Sequence, residues 1–184
     1  MKERKQIHVL AEMAIFVALA VVVDAIAGLF SPFKYGGSIS FAMLFIFIIS
    51  YRRGVVNGII AGLAFGILQS LVAAGMGNFY FLSLPQYLLD YIVPFMVLGV
   101  AGIFKKGLSK PISFALGIAL GSFLRYISHS FAGVLFWGSY APVGMNVYFY
   151  SFIVYNLPYM AASFAFCLII GLVLFVRKLL SINL

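Results

Sequence analysis

From Val9 to Phe30 the chain carries only two charged side chains, Glu12 and Asp24. A helix over that run can cross the ~30 Å of hydrocarbon in a bilayer at ~1.5 Å per residue. Similar apolar runs recur along the chain, with short basic clusters between them. In hydrocarbon, backbone polar groups have to bond within the chain, and a helix bonds them within one segment. Only 9% of the residues are charged and 65% are hydrophobic, whereas a soluble domain carries about 25% charged residues. The pattern predicts an all-α integral membrane protein. It has six transmembrane helices, at about 9–29, 39–51, 54–74, 86–104, 111–136 and 147–176, forming one domain over residues 1–184. The second run is short for a span, so a tilt or an earlier start is expected of it.

A basic start before an apolar run also fits a secretory signal, and Ala25-Ile26-Ala27 resembles a cleavage site. The first run is longer than a signal's apolar core, which favours a retained helix.

The basic residues set the orientation. Lys2, Arg4, Lys5, Arg52, Arg53, Lys105, Lys106, Lys110, Arg177 and Lys178 fall at the termini and in the 2–3 and 4–5 loops. The 1–2, 3–4 and 5–6 loops carry Lys34 alone. Both termini are therefore expected to be cytoplasmic. The net charge of +8 is used up in these clusters and forms no stripe or arm for nucleic acid. The single Cys167 excludes a disulfide framework and a four-cysteine metal site, and its apolar surroundings suit an inert thiol.

Several spacings point to close helix contacts. Ala14 and Ala18 share a face of helix 1, and Gly58, Gly62 and Gly66 share one of helix 3. Packing within the bundle is the plain reading of both. Glu12 and Asp24 lie near the ends of helix 1, where an ionised group costs little beside the headgroups. Gln86, Asp90 and Pro94 share a face of helix 4, and Pro94 permits a kink.

Polar and aromatic residues crowd one end of the bundle. Between Arg125 and Asn156 lie the only Trp, Trp137, one of the two His, His129, and Tyr126, Tyr140, Tyr148, Tyr150 and Tyr155. Arg125, His129 and Gly133 recur every four residues of helix 5. With the termini inside, this stretch, Asp90 and the loop residue Tyr80 all fall at the outer end. An Asp90–Arg125 ion pair that only staples two helices is the structural reading. The whole cluster fits a pocket for a flat heteroaromatic cation better. Aromatic faces attract cations, a carboxylate balances the charge, and Asn156 can pair with a ring edge. Enzyme signatures such as HExxH, GxSxG and a P-loop are absent, and Ser128 and Ser130 beside His129 lack catalytic geometry. No catalytic residue, metal site or cofactor is expected.

The segments LAEMAIFVALAVV at 10–22, GGSIS and SYRRG around helix 2, LLDY at 88–91, RYISHSFAGVLFW at 125–137 and YSFIVYN at 150–156 carry a resemblance. Over nearly its full length the chain resembles the thiamine-specific S components of energy-coupling factor transporters. That resemblance implies a six-helix bundle in the bacterial cell membrane with an outward-facing thiamine pocket. It implies partners too: a membrane T component and two ATPase subunits that hydrolyse the ATP. The family's docking motif of small residues falls on Ala14 and Ala18, with Val22 at the next position. Its ligand-binding residues fall on Asp90, Tyr91, Arg125, His129, Gly133, Trp137, Tyr150 and Asn156, with Tyr80 from the 3–4 loop. Asp90 stands where relatives often have Glu, and the spacing from Tyr150 to Asn156 is one residue longer than the family pattern. Either Phe33 or Tyr35 fits the family's 1–2 loop aromatic. By resemblance and chemistry together, Asp90 meets the thiazolium charge or the aminopyrimidine, and Trp137 and His129 stack on the rings. Asn156 and Tyr150 bond the pyrimidine edge, and Tyr91 and Arg125 meet the hydroxyethyl end or order the pocket. The alternatives are an S component for riboflavin or biotin and a self-sufficient secondary transporter. The latter usually shows internal repeats that this chain lacks.

Overall fold

The computed structural model describes residues 2–33, 37–105 and 110–177. Lys34, Tyr35, Lys106 and Lys178 fall outside them. The described residues form six helices and no strand: α1 (Lys2–Leu29), α2 (Met43–Arg53), α3 (Val55–Gly75), α4 (Leu84–Lys105), α5 (Lys110–Phe136) and α6 (Val147–Phe175). Five of them, all but α2, are long and apolar enough to cross a membrane.

The short helix α2 is the centre of the bundle. Its 11 residues rise only about 16 Å, too little for a bilayer. It does not start at Ile39, as hydropathy suggests. Residues 37–41 lie outside any helix, and their backbone has other partners. The Ser40 amide donates to Ser163 Oγ of α6 at 3.0 Å, and the Ala42 amide to Ser40 Oγ at 3.1 Å. Met43, Ile46, Phe47 and Ile49 are then fully enclosed by the other helices. A single residue, Gly54, joins α2 to α3 with φ 94° and ψ 168°, a conformation open essentially to glycine alone.

Helix α1 also starts earlier than its apolar run, at Lys2. Met13, Val17, Ala20 and Asp24 form its inward stripe. Glu12 is buried too. It takes the Arg52 Nε–H at 2.5 Å and is also paired with Arg53. The basic pair that ends α2 thereby neutralises a carboxylate on α1.

The glycine stripe of α3 is used inside the bundle, against α4. A Cβ at Gly62 would stand 2.1 Å from the carbonyl oxygen of Phe95, and one at Gly66 would stand 2.2 Å from that of Tyr91. Helix α4 is irregular on both sides of Pro94. It is π-helical over Leu88–Ile92 and 3₁₀ over Val97–Lys105. The 3₁₀ part is held by Ser50 of α2, whose hydroxyl donates to the Gly99 carbonyl and accepts the Gly102 amide at 2.8 Å.

Gly62→Ala should lower the thermal midpoint in detergent, since overpacking costs about 1–3 kcal/mol. Gly75→Ala, where a Cβ meets nothing within 4 Å, should leave the midpoint nearly unchanged.

Candidate functional site

Two π-helical turns build the site, one in α4 and one over Tyr150–Asn156 in α6. Each ends two residues before a proline, Pro94 or Pro158. A proline offers no amide hydrogen, so carbonyls of the preceding turn need other partners. Helix α5 supplies them. Ser128 Oγ donates to the Leu89 carbonyl at 3.0 Å, and Tyr126 OH donates to the Phe152 carbonyl at 3.0 Å. A π turn bonds residues five apart, so residues at that spacing come to one face. In α6 the pairs are Tyr150 with Tyr155, at 6.0 Å between ring centroids, and Ser151 with Asn156. The longer Tyr150–Asn156 spacing noted in the sequence is taken up in this widened turn.

These turns enclose a cavity of about 350 Å³ at the end of the bundle that carries the 1–2, 3–4 and 5–6 loops. All nine sequence-predicted ligand residues line it: Tyr80, Asp90, Tyr91, Arg125, His129, Gly133, Trp137, Tyr150 and Asn156. Of the two 1–2 loop aromatics, Phe33 lines the cavity, edge-on to Tyr159 at 5.4 Å and to Tyr155 at 6.0 Å. Tyr35 lies outside the described residues.

Asp90 does not pair with Arg125. Its Oδ2 accepts the Gln86 side-chain amide and the Trp137 indole N–H, each at 2.8 Å. The indole is thereby fixed, with Tyr80 edge-on to it at 6.0 Å. Tyr91 holds the 3–4 loop, since its hydroxyl accepts the Tyr80 amide at 3.3 Å. His129 stands between Arg125 and Asp90. Arg125 Nε–H points at His129 Nε2 at 3.4 Å, and His129 Nδ1 faces Asp90 Oδ1 at 3.8 Å. Only an imidazole with a free Nε2 lone pair can accept from a guanidinium. The network therefore assigns a neutral ring with its proton on Nδ1. The Arg125 guanidinium lies over the Phe95 ring at 4.7 Å.

Asn156 is buried and already engaged. Its amide nitrogen donates to the Ser151 carbonyl at 2.9 Å, and its oxygen accepts the Tyr159 hydroxyl at 2.5 Å. One lone pair of that oxygen stays available. Gly133 has a steric role as well, because a Cβ there would stand 2.1 Å from Ser151 Oγ.

Sequence reasoning missed Asp24, Gln69, Phe95 and Tyr159, which also line the cavity. Asp24 is buried, with Ser38, Ser40 and Gln69 within hydrogen-bonding reach. The signal was present. Asp24 continues the inward spacing of Met13, Val17 and Ala20. With His129 neutral, two carboxylates face one guanidinium. With Asp24, Asp90 and Arg125 all ionised, the cavity lining has one net negative charge.

A family model described as "Thiamine transporter protein" matches residues 10–183. The chain belongs to the thiamine transporter family. Thiamine transporter ThiT of Bacillus subtilis is 40% identical over 95% of this chain and 94% of its own length. Thiamine transporter ThiT of Lacticaseibacillus paracasei is 34% identical over 84% of this chain and 80% of its own. The solved structure of ThiT from Listeria monocytogenes superposes with a TM-score of 0.80 at 29% identity, covering 95% of this chain and 96% of that one. A multi-pass membrane bundle that serves in transport is thus the family's architecture and this chain's.

Gly133→Ala should weaken ligand binding and lower the thermal midpoint by driving α6 away at Ser151. Adding Ser151→Ala removes the clashing hydroxyl and should recover most of both losses, which calorimetric titration and thermal unfolding of the two variants can check.

Proposed function

We propose that the protein captures thiamine at the outer face of the bacterial cytoplasmic membrane and releases it through a shared ATP-driven module. The observation that carries this reading is the cavity's charge and lining. Thiamine is a flat monocation, and the lining offers two carboxylates and one guanidinium together with Trp137, Tyr80, Tyr150 and Phe33. A cavity of about 350 Å³ falls in the usual range for small-molecule sites, roughly 300–1,000 Å³. Asp90, clamped by two neutral donors, keeps its charge for the ligand. Trp137 and His129 offer ring faces, and Asn156 and Tyr150 offer polar atoms for the pyrimidine edge. Tyr91 and Arg125 order the polar wall, and Phe33 closes the mouth from the 1–2 loop.

The partners in this reading are a membrane T component and two ATPase subunits, which carry out all ATP hydrolysis. The chain itself acts as no enzyme and needs no cofactor. Ala14, Ala18 and Val22 are all exposed along one face of α1, so none of the described residues covers that face. Small side chains there let a partner helix approach closely. The basic clusters at the termini and in the 2–3 and 4–5 loops favour the cytoplasmic side for both termini.

Asp90→Ala should weaken thiamine binding by about two orders of magnitude or more in calorimetric titration. Removing one partner of a buried charge pair costs about 2–5 kcal/mol, and each ~1.4 kcal/mol is tenfold. Unchanged affinity, or equal binding of riboflavin or biotin by the unaltered protein, would contradict the assignment. Ala18→Trp should abolish thiamine uptake by cells and co-purification with the T component, while the purified variant still binds thiamine.

A further inference from the structure

Three side chains able to carry a charge line the cavity: Asp24 from α1, Asp90 from α4 and Arg125 from α5. They are not arranged as one acid for the ligand and one isolated base. Asp90 is held by the neutral side chains Gln86 and Trp137, and the neutral His129 stands between it and Arg125. Arg125 is 7% exposed and Asp24 is 8% exposed. Each is the other's leading source of opposite charge. The remaining neighbours of Asp24 are Ser38, Ser40 and Gln69, all able to donate to it, which suits an ionised carboxylate. Among the described residues no ion pair within 4.0 Å joins Asp24 and Arg125. Both side chains line the one cavity. A buried guanidinium with no opposing acid would repel a cation entering a poorly solvated space.

We infer that Asp24 is a specificity-determining residue: it cancels the charge of Arg125, so that Asp90 alone sets the charge the ligand meets, and the cavity selects a monocation. This deepens the thiamine reading and rests on it. Asp24 acts here on the field in the cavity and not through a stacking or edge contact. Its removal should therefore change how strongly the protein prefers a charged ring over an uncharged one of the same shape.

The test compares thiamine with an isosteric analogue in which a neutral thiophene replaces the thiazolium, both titrated calorimetrically against the purified full chain. The readout is the ratio of the two affinities. A substitution that merely loosens the pocket weakens both ligands together and leaves that ratio in place. Asp24→Asn makes the lining neutral and should lower the preference for thiamine at least tenfold. Arg125→Met leaves two uncancelled carboxylates and should raise that preference at least threefold, even if both affinities fall. The opposite signs keep the test decisive when one variant fails to fold, because the other still reports a direction. A ratio unmoved by Asp24→Asn, or moved the same way by both substitutions, would overturn the inference while leaving thiamine binding intact. Failure of the unaltered protein to bind thiamine would overturn the underlying reading as well.

Discussion

Pro94 and Pro158 have no amide hydrogen, and the turns before them are wound with bonds five residues apart. The site depends on those two turns. In a regular helix Tyr150 and Tyr155, or Ser151 and Asn156, would diverge around the axis. In the wider turn each pair faces the same way. Such turns survive in a membrane only if their loosened carbonyls find donors. Helix α5 provides them through Ser128 and Tyr126. The same helix presents Arg125, His129 and Gly133 to the cavity. One helix therefore satisfies its irregular neighbours with one set of side chains and lines the pocket with the interleaved set.

Electrostatics are handled in separate places. At the end of the bundle nearer the termini, Glu12 is neutralised by Arg52 and Arg53, which ties α1 to the corner between α2 and α3. Near the loop end, Asp24 and Arg125 line the one cavity, and Asp90 is held by an indole and an amide. Buried charge is costly unless paired or hydrogen-bonded. Glu12, Asp24 and Asp90 all have donors within reach, and those of Asp90 are neutral. In the proposed function a cationic vitamin completes that arrangement. The central helix α2 gives the frame its rigidity, since it is enclosed on all sides and joined to α3 through the single residue Gly54.

Much of this was legible in the sequence, for physical reasons. Long apolar runs have one economical solution in hydrocarbon, so the six helices could be read directly. The four-residue recurrence of Arg125, His129 and Gly133 placed them on one face, and the loops gathered them with Asp90 and Trp137. The partner of Asp90 was not legible. An Asp–Arg pairing is the simple expectation, but indole and amide donors reach Asp90 first, and His129 occupies the space between the charges. Asp24 was not read as a cavity residue because its position along α1 was weighed and its position around α1 was not. The start of α2 was misread because Ile39 and Phe41 look helical by hydropathy, while Ser163, far along the chain, takes the Ser40 amide. Contacts of that kind join residues remote in sequence and leave no local signal.

The most direct measurement of the central claim is native mass spectrometry of the protein purified from cells grown with thiamine, with the released ligand identified by its mass. One thiamine per chain, lost when Asp90 is replaced by Ala, is the predicted result. A different vitamin in the cavity, or thiamine retained in full by the Asp90→Ala variant, would contradict it.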